Sequence, residues 1–306
     1  DPVVLERLAR MFGDNYLWSA GQLELYSTCP FAFFVKRVLR LEGTAEADEQ
    51  LSGTVRGSIA HDLLEQFYRE TKENLPSFLT GKTLQVFDSI AEHLLAEREA
   101  SGEWLGLPSL WPTARRSVCE GVRSYLAWEI EYLDRKAETP ELIEHEFGFR
   151  DPVIIRGRSI KGTRVDLRLC GRIDRVDSYS DGNQARHHVL DYKLGRIPAK
   201  SGYTDGSVLQ GPLYLRVLEE LGLAVDKCRY RSIGSPGKPQ NGAEIRAGSD
   251  QFEEALLIAF SVPERVRSGL FEASLAANAG GWPPYFPGRE ICRSQAQLKR
   301  GSRFDV

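Results

Sequence analysis

Two short segments of this chain carry residue types that could hold a divalent cation and cut a phosphate ester. They are GRIDRVD at Gly171–Asp177 and VLDYKLG at Val189–Gly195. Side chains on a strand alternate between its faces, so Asp191 and Lys193 project together while Leu190, Tyr192 and Leu194 face the other way. On the preceding strand Leu169 and Ile173 share one face and Asp174 lies on the other. If the two strands pair through a turn at Asp181-Gly182-Asn183, Asp174 approaches Asp191 on a common, open face. Carboxylate oxygens of this kind hold Mg²⁺, which polarises a phosphate and lowers the pKa of bound water. An ammonium beside them orients that water or stabilises developing charge. An acid-x-Lys triplet alone says nothing: Glu70-Thr71-Lys72 and Asp134-Arg135-Lys136 repeat it on helices or helix ends, where it reads as a surface ion pair. The second acidic strand is what sets Asp191 apart.

Two helical segments offer further groups. In GSIAHDLLEQF, His61 and Glu65 lie one turn apart, on a different face from the Val55/Ile59/Leu63 stripe. A lone helical His is usually an ordinary surface or core residue, but a neutral imidazole aimed at the acidic strands would serve as a third ligand. Gln210 and Tyr214 in LQGPLYLRVL are also one turn apart, on the helix after the DYK strand. Taken alone they are packing residues. Between Arg156 and Arg175 stand seven basic residues and two acidic ones, a local excess that suits a phosphate backbone as well as it suits a solvated hairpin.

These groups need a scaffold. Apolar spacing predicts helices within 18–41 (with Ser19 as N-cap) and over 53–70, 83–100, 112–137, 208–221 and 250–268. Strands are expected at 142–150, 153–158, 166–179, 187–194 and 228–233, with a Gly/Pro loop at 234–242. That order implies an α/β fold, a mixed central sheet flanked by helices. It reads as one domain over 1–306, with its core at about 18–70 and 141–293 and a helical insertion at about 71–140.

Composition excludes several classes. The chain has 306 residues, 40 Lys plus Arg against 43 Asp plus Glu, and a formal charge of −3, so no overall positive charge marks a nucleic-acid binder. Five scattered cysteines (Cys29, Cys119, Cys170, Cys228 and Cys292) do not read as a secreted disulfide framework, and no C-x-x-C pair suggests zinc. No apolar run is long enough for a membrane span, and no signal-peptide pattern opens the chain. The first residue is Asp1, so a piece of a longer polypeptide is expected.

Taken in order, GxxxHxxxE at 57–65, GRIDRVD at 171–177, DYK at 191–193 and QxxxY at 210–214 resemble the PD-(D/E)XK nuclease superfamily, and within it the RecB/AddB-like exonuclease domain of bacterial helicase–nucleases. The opening SAGQLELYSTCPFAFFVKRVLRLE is similar to that family's start, and the resemblance covers about residues 18–293. It implies a restriction-endonuclease-like core in which His61, Asp174 and Asp191 are metal ligands and Lys193 is the catalytic lysine. Gln210 and Tyr214 would help position DNA, and Glu65 would support the helix motif. It further implies Mg²⁺- or Mn²⁺-dependent cleavage of a DNA strand or duplex end, beside a helicase domain or subunit, in a bacterial-type cytoplasm. Many relatives also hold a [4Fe–4S] cluster on four cysteines. Here Cys29 and Cys292 match two positions, but Pro283 and Phe286 stand at the other two. Two thiolates cannot hold such a cluster, so its loss is expected, with WPPYFP at 282–287 packing in its place. A different class of function is a catalytically silent nuclease-fold module that binds DNA or scaffolds a helicase. The presence of His61, Asp174, Asp191, Lys193, Gln210 and Tyr214 together favours an enzyme. If DYK were accidental in an unrelated α/β enzyme, His61 would not converge with the two aspartates.

Overall fold

A computed structural model of the chain describes residues 1–41, 49–182, 184–195, 197–233 and 241–273. Three helices open it: α1 (Pro2–Met11), α2 (Ala20–Thr28) and α3 (Pro30–Phe33), the last running into a wide turn at Phe34–Val38. Ser19 does cap α2, with Gln22 returning the bond in a capping box. The helical stretch breaks at Cys29, whose extended backbone (φ −156°, ψ 98°) precedes Pro30. Proline disfavours a helical residue before it and cannot donate to the preceding turn, so α3 restarts there with Cys29 as its cap.

Three long helices follow: α4 (Gly53–Thr71), α5 (Gly81–Ala100) and α6 (Trp111–Lys136). Ile59, Leu63 and Phe67 of α4 are fully buried against Phe87 and Leu94 of α5 and Val122, Leu126 and Ile130 of α6. This helical core closes on the sheet through Tyr192 and Ile233. Burying side chains of this size contributes roughly 1.5–3 kcal/mol each, which is why the stripes were readable as helices.

The strands are β1 (Thr139–Phe147), β2 (Val153–Arg158), β3 (Arg164–Leu169), β4 (Gly171–Asp181) and β5 (Gln184–Lys193). A one-turn helix α7 (Gly202–Asp205), helix α8 (Gln210–Glu220), strands β6 (Val225–Ser232) and β7 (Asn241–Arg246), and helix α9 (Asp250–Arg267) complete the described chain. One sheet runs β1-β4-β5-β6-β7, with β5 and β6 parallel and its other neighbours antiparallel. The parallel pair requires a crossover, and α8 supplies it. Helices α2, α8 and α9 build a second core that includes Leu23, Leu213, Leu218, Ile258 and Val189 of the sheet.

The single strand expected over 166–179 is two strands in two sheets. It breaks at Cys170, β3 pairing with β2 and bridging to Trp18 through Leu169 while β4 enters the main sheet. The cause lies far away in sequence. Trp18 N donates to Arg168 O and Cys170 N donates to Trp18 O, each at 2.9 Å, which ties this corner to the N-terminal segment. Gly148 turns beside it at φ 77°, where an added Cβ would stand 2.0 Å from Leu169 O. Among the described residues no helix is long and apolar enough to cross a membrane.

Candidate active site

Strands β4 and β5 pair as a hairpin from Asp181–Gln184 to Arg175–Leu190, and Asp174 and Asp191 are the next residues on each strand. The turn chemistry is supplied by Gly182 at φ 62°. Asp174 Oδ2 accepts a hydrogen bond from Tyr192 N at 2.8 Å. Asp191 forms an ion pair with Lys193 Nζ at 2.5 Å. Lys193 Nζ also donates to Gln210 Oε1 at 3.3 Å, and Gln210 Nε2 donates to the Tyr214 hydroxyl at 3.2 Å. Asp191, the lysine and the two residues of α8 therefore form one chain of contacts, with Asp174 at the next step of the neighbouring strand.

His61 reaches the same place from α4. Its Nδ1 lies 3.7 Å from Asp174 Oδ2, and its Nε2 lies 3.3 Å from Tyr192 O. Glu65, one turn further on, pairs with Arg69 at 2.6 Å. The expectation that Asp191 sits on an open face does not hold: it is 1% exposed and paired with its lysine, whereas the Lys193 side chain keeps 32% of its surface.

A group missed in the sequence completes the cluster. Glu144 Oε1 of β1 lies 3.3 Å from His61 Nδ1, and its Oε2 lies 2.8 Å from Arg172 Nε. The ligand atoms of His61, Glu144 and Asp174 all fall within 4.8 Å of one another. Glu144 has φ 45°, a left-handed conformation that costs an ordinary residue on the order of 1–3 kcal/mol and clusters at functional sites. The available signal was its parity with Leu142, which makes it a carboxylate at an inward step of a strand.

The donor set suits a hard cation. Asp191 Oδ1 is buried with no hydrogen bond among the described residues, while Asp191 Oδ2 meets the Lys193 ammonium and Glu144 Oε2 meets Arg172 Nε. Burial pushes Asp174 upward, and burial together with the Asp174 charge pushes Asp191 up to about 7. Burial opposes charge on His61, but its hydrogen bond to Glu144 and the charges of Asp174, Glu144 and Asp191 outweigh it, so the imidazole is raised to about 9. Burial likewise opposes charge on Lys193, and Asp191 more than compensates, so its pKa is raised. The proton on His61 and the ammonium of Lys193 thus neutralise a pocket of carboxylates, the task a divalent ion would take over.

The basic excess of 156–175 is largely spoken for. Arg156 meets Asp166, Lys161 meets Glu264, Arg172 meets Glu144, and Arg175 is fully buried with Glu129 and Asp177. Of the cluster cysteines, Cys29 is buried and its Sγ accepts from Ala32 N at 3.4 Å, while Pro283, Phe286 and Cys292 lie outside the described residues.

A mixed sheet flanked by helices, with paired acids and a lysine on adjacent strands and a histidine from a preceding helix, defines a class of phosphodiester-cleaving folds. The sequence pattern of the PD-(D/E)XK nuclease superfamily matches residues 17–293, and the chain belongs to that superfamily. It is similar to a subunit of the ATP-dependent helicase/deoxyribonuclease of Symbiobacterium thermophilum, at 32% identity over 72% of this chain and 19% of that protein. It is also similar to the same subunit of the ATP-dependent helicase/deoxyribonucleases of Acetivibrio thermocellus (28% identity, 84% of this chain, 23% of that one) and Desulforamulus reducens (26%, 68% and 18%). The chain thus spans about a fifth of the length of the curated relatives it matches.

Proposed function

We propose that this chain is a divalent-metal-dependent deoxyribonuclease, acting as an exonuclease and serving as the nuclease module of a helicase–nuclease in DNA repair or recombination. The observation that carries the reading is the meeting of His61, Glu144 and Asp174 within 4.8 Å, with Asp191 and Lys193 alongside. His61, Asp174 and Asp191 would hold Mg²⁺ or Mn²⁺, with Glu144 as a further carboxylate. The ion would supply a Lewis acid for the scissile phosphate and acidify a water. Lys193, held between Asp191 and Gln210, presents its Nζ protons to charge that develops on the phosphate oxygens. Gln210 and Tyr214 would help position the strand by hydrogen bonds. The names of the relatives support a DNA substrate and a helicase domain or subunit as partner; a cytoplasmic place of work goes with that reading. The whole described fold is read as a single nuclease domain, the helices over 71–140 being an insertion that packs against α4.

Purified protein incubated with end-labelled single-stranded and duplex DNA should cleave with Mg²⁺ or Mn²⁺ and stop with EDTA. Binding of DNA without cleavage under every metal condition would replace this reading with a silent DNA-binding module. Cluster loss is proposed from Pro283 and Phe286. Protein purified without oxygen should be colourless near 400 nm, and a strong brown absorbance would refute it.

A further inference from the structure

We infer that Glu24 is a positioning residue for the lysine end of the site, acting through the first turn of α8. This rests on the nuclease reading above. Helix α8 begins with Leu209 as its N-cap, a residue whose side chain cannot accept a hydrogen bond. The missing acceptor comes from a helix 185 residues earlier in sequence. Glu24 of α2 takes hydrogen bonds from both Leu209 N and Gln210 N at 2.7 Å on one oxygen, Oε1. A carboxylate there also meets the positive end of the helix dipole. Gln210 is the first residue of α8, and its side chain spans Lys193 Nζ and the Tyr214 hydroxyl. The path is short and continuous: Glu24 holds the Gln210 backbone, and Gln210 holds the ammonium that pairs with Asp191. Among the described residues Glu24 makes no hydrogen bond or ion pair with His61, Glu144, Asp174, Asp191 or Lys193, so its role is placement.

The size of the effect separates placement from stability. Losing a cap lowers fold stability only modestly, whereas an error of about 1 Å in a reacting group costs about 100-fold in rate. Full-length chains carrying Glu24→Ala and Glu24→Gln should be compared with the unaltered chain for kcat and KM on end-labelled DNA. Mn²⁺ affinity by calorimetry and amide exchange at Leu209 and Gln210 should be measured alongside. Alanine should lower kcat by about 10- to 100-fold, leave KM and Mn²⁺ affinity within about threefold, and speed exchange at both amides. Glutamine keeps the accepting Oε1 and should recover most of kcat and the slow exchange. Cleavage by Glu24→Ala within about twofold of the unaltered chain, or failure of Gln to rescue a folded protein, would overturn the inference. If the unaltered chain cleaves nothing, the nuclease reading has failed on its own. The two amides then still decide the capping role: unchanged exchange in Glu24→Ala overturns it, and faster exchange reversed by Gln upholds it.

Discussion

Glu144 Oε1 and His61 Nδ1 lie 3.3 Å apart, bringing together an edge strand of the sheet and a helix of the other core. Asp174 Oδ2 is 3.7 Å from the same nitrogen. Replacing Glu144 with Gln keeps the shape and removes a charge. The expected outcome is a loss of about tenfold or more in Mn²⁺ affinity by calorimetry. An unchanged affinity would remove Glu144 from the ligand set.

Asp191 sets function against stability. It is buried and its pKa is pushed up to about 7, so near pH 8 its charge is held at a cost. Asp191→Asn should abolish cleavage. In metal-free protein at that pH it should also raise unfolding stability by on the order of 1–2 kcal/mol, read from urea unfolding. Cleavage that survives this change would end the proposed centre. Lys193→Ala should likewise abolish cleavage while preserving the fold.

The metal-free protein should be most stable on the acid side of neutrality. His61 is raised from 6.5 to about 9, so the folded state holds a proton that the unfolded chain releases. Its contribution is fully present below about pH 6.5 and is lost as pH rises to about 9, on the order of 3 kcal/mol. Asp191 and Asp177, raised to about 7 and about 6 mainly by burial, act in the same sense at lower pH. Unfolding in EDTA at pH 6.5 and pH 9 tests this. Equal or greater stability at the higher pH would contradict the assignment.

Behind the site lies a fully buried ion network. Arg175 binds Glu129 of α6 and pairs through Nε with Asp177 Oδ1 at 2.7 Å, and its guanidinium stands 4.8 Å from the Tyr68 ring and 5.6 Å from the Tyr192 ring. Removing one member leaves uncompensated buried charge, so Glu129→Ala should destabilise the protein by about 3–5 kcal/mol in thermal or urea unfolding. A cost below about 1 kcal/mol would mean that water already enters this pocket.

The long helices α4, α5, α6, α8 and α9 and the Asp174–Asp191 pair are legible in the sequence for local reasons, whereas α1 and β7 are not. Ile59, Leu63 and Phe67 repeat at helical spacing, and a short turn with alternating faces is enough to set one aspartate beside the other. What escaped notice depends on distant partners. The break at Cys170 is imposed by Trp18, and Glu144 joins the cluster because β1 pairs with β4 across an intervening hairpin. Glu24 reads as one polar residue of an N-terminal helix until α8 is folded against it. The burial of Asp191 escapes a reading of its own strand for the same reason, since the Lys193 side chain that pairs with it is held in turn by Gln210 of the crossover helix.

Tyr192 has both polar backbone atoms committed, its N–H to Asp174 and its oxygen to His61, while its ring is sunk in the helical core. The middle letter of the DYK triplet is therefore a rivet between layers rather than a spacer. Any slip of the helices against the sheet drags that ring, and with it the peptide that spaces the acid from the lysine. Mutations deep among α4, α5 and α6, remote from every reacting atom, would then be felt at the cutting edge as a loss of alignment.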